Sequence, residues 1–236
     1  MNKRDQQRKN KEAKQQAAAK REQNKKVLTK VTLFGIAPLL AIVVLFTLFT
    51  QGPVYSTVEV AESDHVRGDE ENPVTIVVYA DFQCPACATE NTTMTQLWPS
   101  IRDKARLIFR HFPISTAHPH TWTASLYAEA AGRQGKFWEM HDYLFATQAI
   151  WSGLPSSAVE EEFDSYALQL NLDLETMKVD METDELISKV RSDQRSGNSS
   201  GVASTPAVFV EGKLLTRPSR DRIINAVEEA YEASAD

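Results

Sequence analysis

The pattern of apolar and polar positions changes character several times along this chain. Residues 1–30 mix Lys, Arg, Gln and Ala without hydrophobic periodicity, so they cannot bury a core. Residues 31–50, VTLFGIAPLLAIVVLFTLFT, carry no charge. Twenty residues of helix span about 30 Å, the thickness of a bilayer's hydrocarbon layer, and Gly35 and Pro38 are tolerated there. From Gln51 the chain holds Gly52, Pro53, Gly68 and several acids. Residues 51–63 read as a linker with a short strand at Thr57–Val60, and the folded domain is expected to begin near Asp64. The β-branched run Val74–Ala80 predicts a buried strand. A helix is expected from Pro85 to Trp98, then a second strand over Arg106–Phe112, stopped by Pro113.

From about 119 to 196 the period becomes helical. Trp122, Leu126 and Ala130 recur at helical spacing, as do Phe137, Met140 and Leu144, with Gly132 and Gly135 marking a break. Ser157-x-x-Glu160 has the form of a capping box for a helix ending near Leu170, and Asp173 and Thr183 suit the N-caps of two further short helices. The aromatic residues of this block, Trp122, Phe137, Trp138, Tyr143 and Trp151, read as core packing. Strand character returns at Ala207–Val210, with Glu211-Gly212 as a turn and Lys213–Thr216 as the partner strand. A last helix over Ser219–Ala233 puts Ile223, Ile224, Val227 and Tyr231 on its buried side. The order gives an α/β fold: a mixed sheet with helices packed on it, interrupted by a helical insertion.

Charge sharpens the picture of the first fifty residues. The net charge is −6, yet residues 1–30 hold eleven Lys or Arg against three acids, leaving −14 on the rest. A basic flank before an uncharged span predicts a cytoplasmic N-terminus and an outer domain, that is, a single-pass protein of the cytoplasmic membrane. The rival is a cleaved signal peptide, but the apolar run exceeds the usual length of about 7–15 residues and no clear A-x-A-like site follows it, which favours an uncleaved anchor. With no aromatic residue in it, the basic arm does not read as a nucleic-acid-binding segment.

Two cysteines, Cys84 and Cys87, are the only ones in the chain. They follow the predicted strand at the start of the predicted helix, with Pro85 suited to its first position. Cys84 then faces unpaired backbone N–H groups and the positive end of the helix dipole, which favour a thiolate. Cys87, one turn on, is close enough to pair with it. A purely structural disulfide across so short a loop constrains the unfolded chain by only roughly 2 kcal/mol. Zinc needs histidine partners, and no H-x₃₋₅-H pair lies at finger spacing. The pair therefore reads as a redox dithiol needing no cofactor and no metal. His111, His118 and His120 read as packing or surface residues. Asp81 can serve as a cap or a proton carrier, and Glu90 as solvated surface or a proton carrier.

VVYADFQCPAC (77–87), RHFP (110–113), GKFWEMHDYLF (135–145) and VASTPAVFVEGK (202–213), in this order, resemble the DsbA-like thiol:disulfide oxidoreductases of the thioredoxin superfamily. The resemblance covers about residues 64–233. It implies a thioredoxin fold with the helical block inserted after the second strand, preceded here by one transmembrane helix. It also implies that Cys84 and Cys87 are catalytic, that Pro85 and Ala86 set the thiolate's stability, and that Thr205-Pro206 is a cis-proline loop binding substrate beside Cys84. Two departures stand out. Ala86 offers no side-chain donor where some relatives have His, and Val78 stands where many relatives carry a buried acid.

The expected activity is oxidation of reduced secreted or envelope proteins, with reoxidation by a membrane partner of the DsbB or VKOR type. A reductase or isomerase, and a tethered binding or chaperone module with an incidental dithiol, are the alternatives. The direction of electron flow is set by a redox potential that the residues do not specify.

Overall fold

The computed structural model describes Arg21, Lys25, residues 32–40, 42 and 43, and residues 54–235. The chain divides into two compact units, 1–51 and 52–236. In the first, Thr32–Ile36 is π-helical and residues 37–40 continue as α-helix. Among the described residues no helix is long and apolar enough to cross a membrane. The expected arm over 1–30 lies outside those residues except for Arg21 and Lys25, and of the expected span over 31–50 residues 31, 41 and 44–50 lie outside them.

The second unit is built on a five-stranded sheet in the order β1-β3-β2-β4-β5. Its strands are β1 (His65–Arg67), β2 (Val74–Ala80), β3 (Ala105–His111), β4 (Ala207–Val210) and β5 (Lys213–Leu214). β2 and β3 are parallel; every other pairing is antiparallel. β2 is central and all seven residues are buried. Val74, Ile76, Val78 and Ala80 face the larger core, while Val77 and Tyr79 enter a second core with Ile108, Phe112 and Phe209. Burial on both faces is why its sequence is a continuous apolar run rather than an alternation.

α1 (Pro85–Ile101) joins β2 to β3. It runs one turn past the expected end at Trp98, through Pro99. Proline in a helix leaves the carbonyl four residues earlier without its donor, and here that residue, Thr95, is exposed to water. Six helices form the insertion: α2 (Thr121–Arg133), α3 (Phe137–Ala146), α4 (Gln148–Trp151), α5 (Ser156–Gln169), α6 (Leu174–Met181) and α7 (Asp184–Ser199). α8 (Arg220–Ser234) closes the chain. α7 returns to the sheet over Tyr79 and Phe112, where a Cβ at Gly197 would meet the Phe112 ring at 2.6 Å. Only glycine allows that approach.

Local expectations failed where tertiary partners decide. Thr57–Val60 is a bend rather than a strand, because Ser56 and Glu59 turn their carbonyls onto the Arg110 guanidinium. The edge strand forms instead at His65–Arg67. Asp173 and Thr183 do cap helices, accepting from Thr176 and Leu186 N–H, and the second helix is sixteen residues long rather than short. The Ser157–Glu160 capping box does not form: Ser157 lies inside α5, and Pro155 occupies the cap with no side-chain bond. On α8, Ile223 and Val227 are buried as expected, but Tyr231 is 37% exposed, with the Lys104 ammonium 5.3 Å from its ring centre.

Polar residues are buried between β3 and the insertion. Arg110 and Asp64 pair with both side chains fully buried, at 3.1 Å (Nε to Oδ1) and 2.7 Å (Nη2 to Oδ2). The carbonyls of Ser56 and Glu59 and the Tyr79 hydroxyl take the remaining guanidinium hydrogens. Nearby, Lys189 Nζ lies 2.8 Å from both oxygens of Asp193. The two Glu129 oxygens meet His65 and His111 at 3.0 and 2.8 Å.

Candidate functional site

The strand-to-helix junction after β2 is built by its own side chains. Asp81 is buried at the strand's end, and its Oδ1 accepts the Gln83 N–H at 2.8 Å. Its Oδ2 accepts the Ile114 N–H at 2.7 Å and bonds His118 Nδ1 at 2.9 Å. Both oxygens are therefore engaged in holding two loops together, and Asp81 acts as a cap. Phe82 is fully buried and packs on Phe109 with ring centres 5.1 Å apart. With the chain pinned on either side, Cys84 falls at the N-cap of α1 with Pro85 at the first helical position.

The two thiols differ in exposure. Cys84 is partly exposed, Cys87 is fully buried, and neither is in a disulfide here. Pro85 and Ala86 are exposed between them. Thr205-Pro206 is a cis peptide bond, and the Thr205 carbonyl lies 3.8 Å from Cys84 Sγ. So all six residues singled out from the sequence gather in one place, 121 residues of chain separating Cys84 from Thr205.

Electrostatics separates the sulfurs further. The Cys84 thiol is held down at about 5, most strongly by the Cys87 thiol donating to its sulfur. Partial burial opposes this; the N–H groups of Cys87 and Ala86 and the Thr205 hydroxyl reinforce it. That hydroxyl is buried without a conventional hydrogen-bond partner. The Cys87 thiol is pushed up, first because it serves Cys84 as donor and then because it is buried. At neutral pH the reduced pair is a thiolate at the surface above a protonated thiol.

Glu90, which the sequence leaves between solvated surface and proton carrier, is buried. The buried face of α1 runs Cys87, Glu90, Met94, Leu97, Ile101, so the carboxyl points inward one turn beyond Cys87. One of its oxygens is buried without a hydrogen bond. It lines a small cavity with Val78, Met94, Phe109, His141 and Phe145, and about 10 Å³ there is open to the centre of a water, room for one molecule. Burial raises the carboxyl from its ordinary 4.5 to about 7. His141, across the cavity, is lowered to about 4 by burial and is neutral. A carboxyl raised by folding costs stability increasingly as pH climbs from 4.5 to 7. At about 1.4 kcal/mol per pH unit the cost at pH 8 is about 3 kcal/mol. Glu90→Gln is thus expected to stabilise the protein by that order at pH 8 and to leave it unchanged at pH 4, as thermal unfolding at the two pH values will measure.

Among the described residues one trio, His111, Glu129 and Asp193, brings metal-type ligand atoms within 4.8 Å of one another. The Lys189 ammonium already sits on Asp193, and His111 is spent on Glu129, so the cation's place is taken. His120 is buried, its ring bonded to the Leu154 carbonyl. Two further residues gave no sequence signal: the side chains of Gln83 and Gln148 hold the junction against the insertion.

A central parallel strand pair, a two-cysteine helix start and a cis-proline loop facing it define a thioredoxin-fold dithiol protein. A family profile described as thioredoxin matches residues 60–229, and the chain belongs to that family. A thioredoxin-like oxidoreductase from Silicibacter pomeroyi superposes with a TM-score of 0.63 at 26% identity, covering 73% of this chain and 94% of its own. Oxidised BdbD from Bacillus subtilis superposes with a TM-score of 0.63 at 21% identity, over 77% and 100%, and shares the fold. The Na(+)/H(+) antiporter NhaA of Herminiimonas arsenicoxydans is 36% identical over 169 residues, 72% of this chain but 26% of the antiporter. The chain thus spans about a quarter of that relative's length.

Proposed function

We propose that this protein is an extracytoplasmic, DsbA-like thiol:disulfide oxidoreductase that donates the Cys84–Cys87 disulfide to reduced secreted or envelope proteins. The observation that carries the reading is the asymmetry of the dithiol: a partly exposed sulfur held at about 5 above a buried partner pushed up. In the oxidised protein a client thiolate attacks Cys84 Sγ, forming a mixed disulfide and breaking the bond to Cys87. Cys87 leaves as a thiolate and takes up a proton; Glu90, on the same buried helix face, is able to hold a proton near neutral pH. The client's second thiolate then attacks its own sulfur in the mixed disulfide. The client leaves with a disulfide, and Cys84 departs as a thiolate. A low-pKa leaving group speeds that last step and stabilises the reduced product, both of which favour net oxidation of the client.

The Thr205-Pro206 loop offers backbone groups on which an extended client segment can pair beside Cys84. Location follows from the basic arm and the uncharged run 31–50, which we read as an anchor with the dithiol domain outside. The exposure of Phe34, Leu39, Leu40 and Ile42, apolar side chains suited to lipid, supports that reading. A membrane oxidant of the DsbB or VKOR type would then take the two electrons.

The redox potential of the full-length chain, equilibrated with glutathione buffers in detergent, tests the direction. A value near about −120 to −180 mV is expected for a disulfide donor. A value near about −270 mV would reverse the assignment to a reductase or isomerase fed with electrons, the alternative to which the donor-free Ala86 side chain lends weight.

A further inference from the structure

The dithiol turn is tied to the helical insertion by two buried glutamine amides. Gln148 opens α4 and is 8% exposed; its Nε2 donates to the Phe82 carbonyl at 2.7 Å and to the Cys84 carbonyl at 3.0 Å. An amide nitrogen carries two hydrogens, and both are spent on the turn. The Cys84 carbonyl already accepts the N–H of Cys87 at 3.0 Å and of Ala88 at 3.2 Å, so Gln148 supplies its third donor, the only one of these from outside α1. Gln83 makes the reciprocal grip: its Nε2 donates to the Ser152 carbonyl at 2.8 Å, just past α4, and its Oε1 accepts the His120 N–H at 2.7 Å. α4 is itself anchored by Trp151, fully buried, whose indole N–H donates to the Leu144 carbonyl at 2.9 Å.

We propose that Gln148 is a positioning residue for the Cys84 thiolate, holding the Phe82 and Cys84 carbonyls so that the N–H groups of the first helical turn stay directed at the sulfur. The physical reason is the sign of the charges. Carbonyl oxygens are the negative ends of their peptide dipoles, and covalent geometry keeps the Cys84 carbonyl near its own sulfur. A donor between the two carbonyls offsets their repulsion of a thiolate and fixes the planes of the peptides that follow. The insertion thereby contributes to reactivity through one amide. This rests on the reading of Cys84 as the sulfur that exchanges with clients.

Thiolate absorbance of the reduced, full-length protein, titrated against pH, tests it. Gln148→Met keeps the length and Gln148→Leu the branched bulk; each removes both donors and adds no charge. Both are expected to move the Cys84 midpoint upward by about one pH unit, a tenfold loss of thiolate preference. The glutathione equilibrium should shift by a similar factor, about 30 mV towards a weaker oxidant. Trp151→Phe loosens the same helix without touching the amide, so it should lower thermal stability and leave the midpoint in place. The other ionisable groups around the turn, Cys87, Asp81 with His118, and Glu90, are untouched by these substitutions. If Gln148→Met and Gln148→Leu lose stability while titrating like the unaltered protein, Gln148 is a structural tie only and the inference fails. Should Gln148→Met not fold, Gln148→Leu, which adds no charge, decides in its place. An unaltered protein that titrates near the ordinary thiol value would overturn the reading of Cys84, and this inference with it, whatever the variants show.

Discussion

Replacing Cys84 by serine is expected to leave the fold intact and to abolish thiol exchange. The side chain is partly exposed and at a helix N-cap, a position where serine is favoured, so packing and capping survive. The sulfur that a client attacks does not. Oxidation of a reduced model client should fall by roughly 10³-fold or more, as loss of the residue that forms the covalent intermediate does. The low-pH thiolate absorbance should vanish with it, because Cys87 is pushed up and contributes no thiolate near neutral pH. Cys87→Ser is expected to behave differently: Cys84 still attacks a client disulfide, but nothing resolves the product, and mixed disulfides accumulate. Non-reducing gels of cells expressing each variant separate the two. Secreted clients that mature normally in a Cys84→Ser strain would instead point to a binding or chaperone module.

The second large effect lies away from the dithiol. Asp64→Ala is expected to destabilise the protein by about 3–5 kcal/mol, the cost of leaving a buried ion unpaired. The Arg110 guanidinium has no exposed side-chain surface, and Asp64 takes two of its five hydrogens. Burial works against the guanidinium's charge and Asp64 offsets this; without Asp64 the guanidinium still keeps its proton, as arginine does in proteins, and stays buried as an ion. The Lys189 ammonium, 3.5 Å from Asp64, loses a neighbour as well. Thermal unfolding should show a drop of roughly 10 °C or more. The exposed Lys136–Glu139 pair supplies the contrast, since Glu139→Gln is expected to change stability by less than about 0.5 kcal/mol. A loss of similar size in both variants would show that Asp64 does not act through the buried pair.

Where the sequence was readable, the signal was local. β2 was visible because burial on both faces leaves a run of β-branched residues, and the start of α1 because Pro85 fits only a helix's first turn. The hairpin of β4 and β5 was marked by Glu211-Gly212. The gathering of Thr205-Pro206 with Cys84 came from resemblance, since nothing local joins positions 121 apart. Glu90 was legible in part: Cys87, Glu90, Met94, Leu97 and Ile101 keep a helical stripe, and an acid on such a stripe is a buried acid. Its charge, a usual sign of solvent, set against that spacing left surface and proton carrier both open. Gln83, Gln148 and the Arg110–Asp64 pair were invisible because their partners lie on other elements, and a glutamine or arginine in sequence does not say what it reaches. The expected strand at Thr57–Val60 failed for the same reason: its carbonyls had a guanidinium to satisfy.

The separation of Cys84 from Thr205 also sets an order of events during synthesis. The N–H groups that favour the Cys84 thiolate belong to α1, which forms from neighbouring residues, whereas the Thr205 loop follows the whole insertion. At ribosomal speeds the 121 residues between them take on the order of ten seconds to appear. Closing so long a loop is among the slower steps of folding. A growing chain therefore presents the Cys84 sulfur before it presents the loop that faces it. On the proposed function, each new copy is for that interval chemically a client of the mature ones rather than a catalyst.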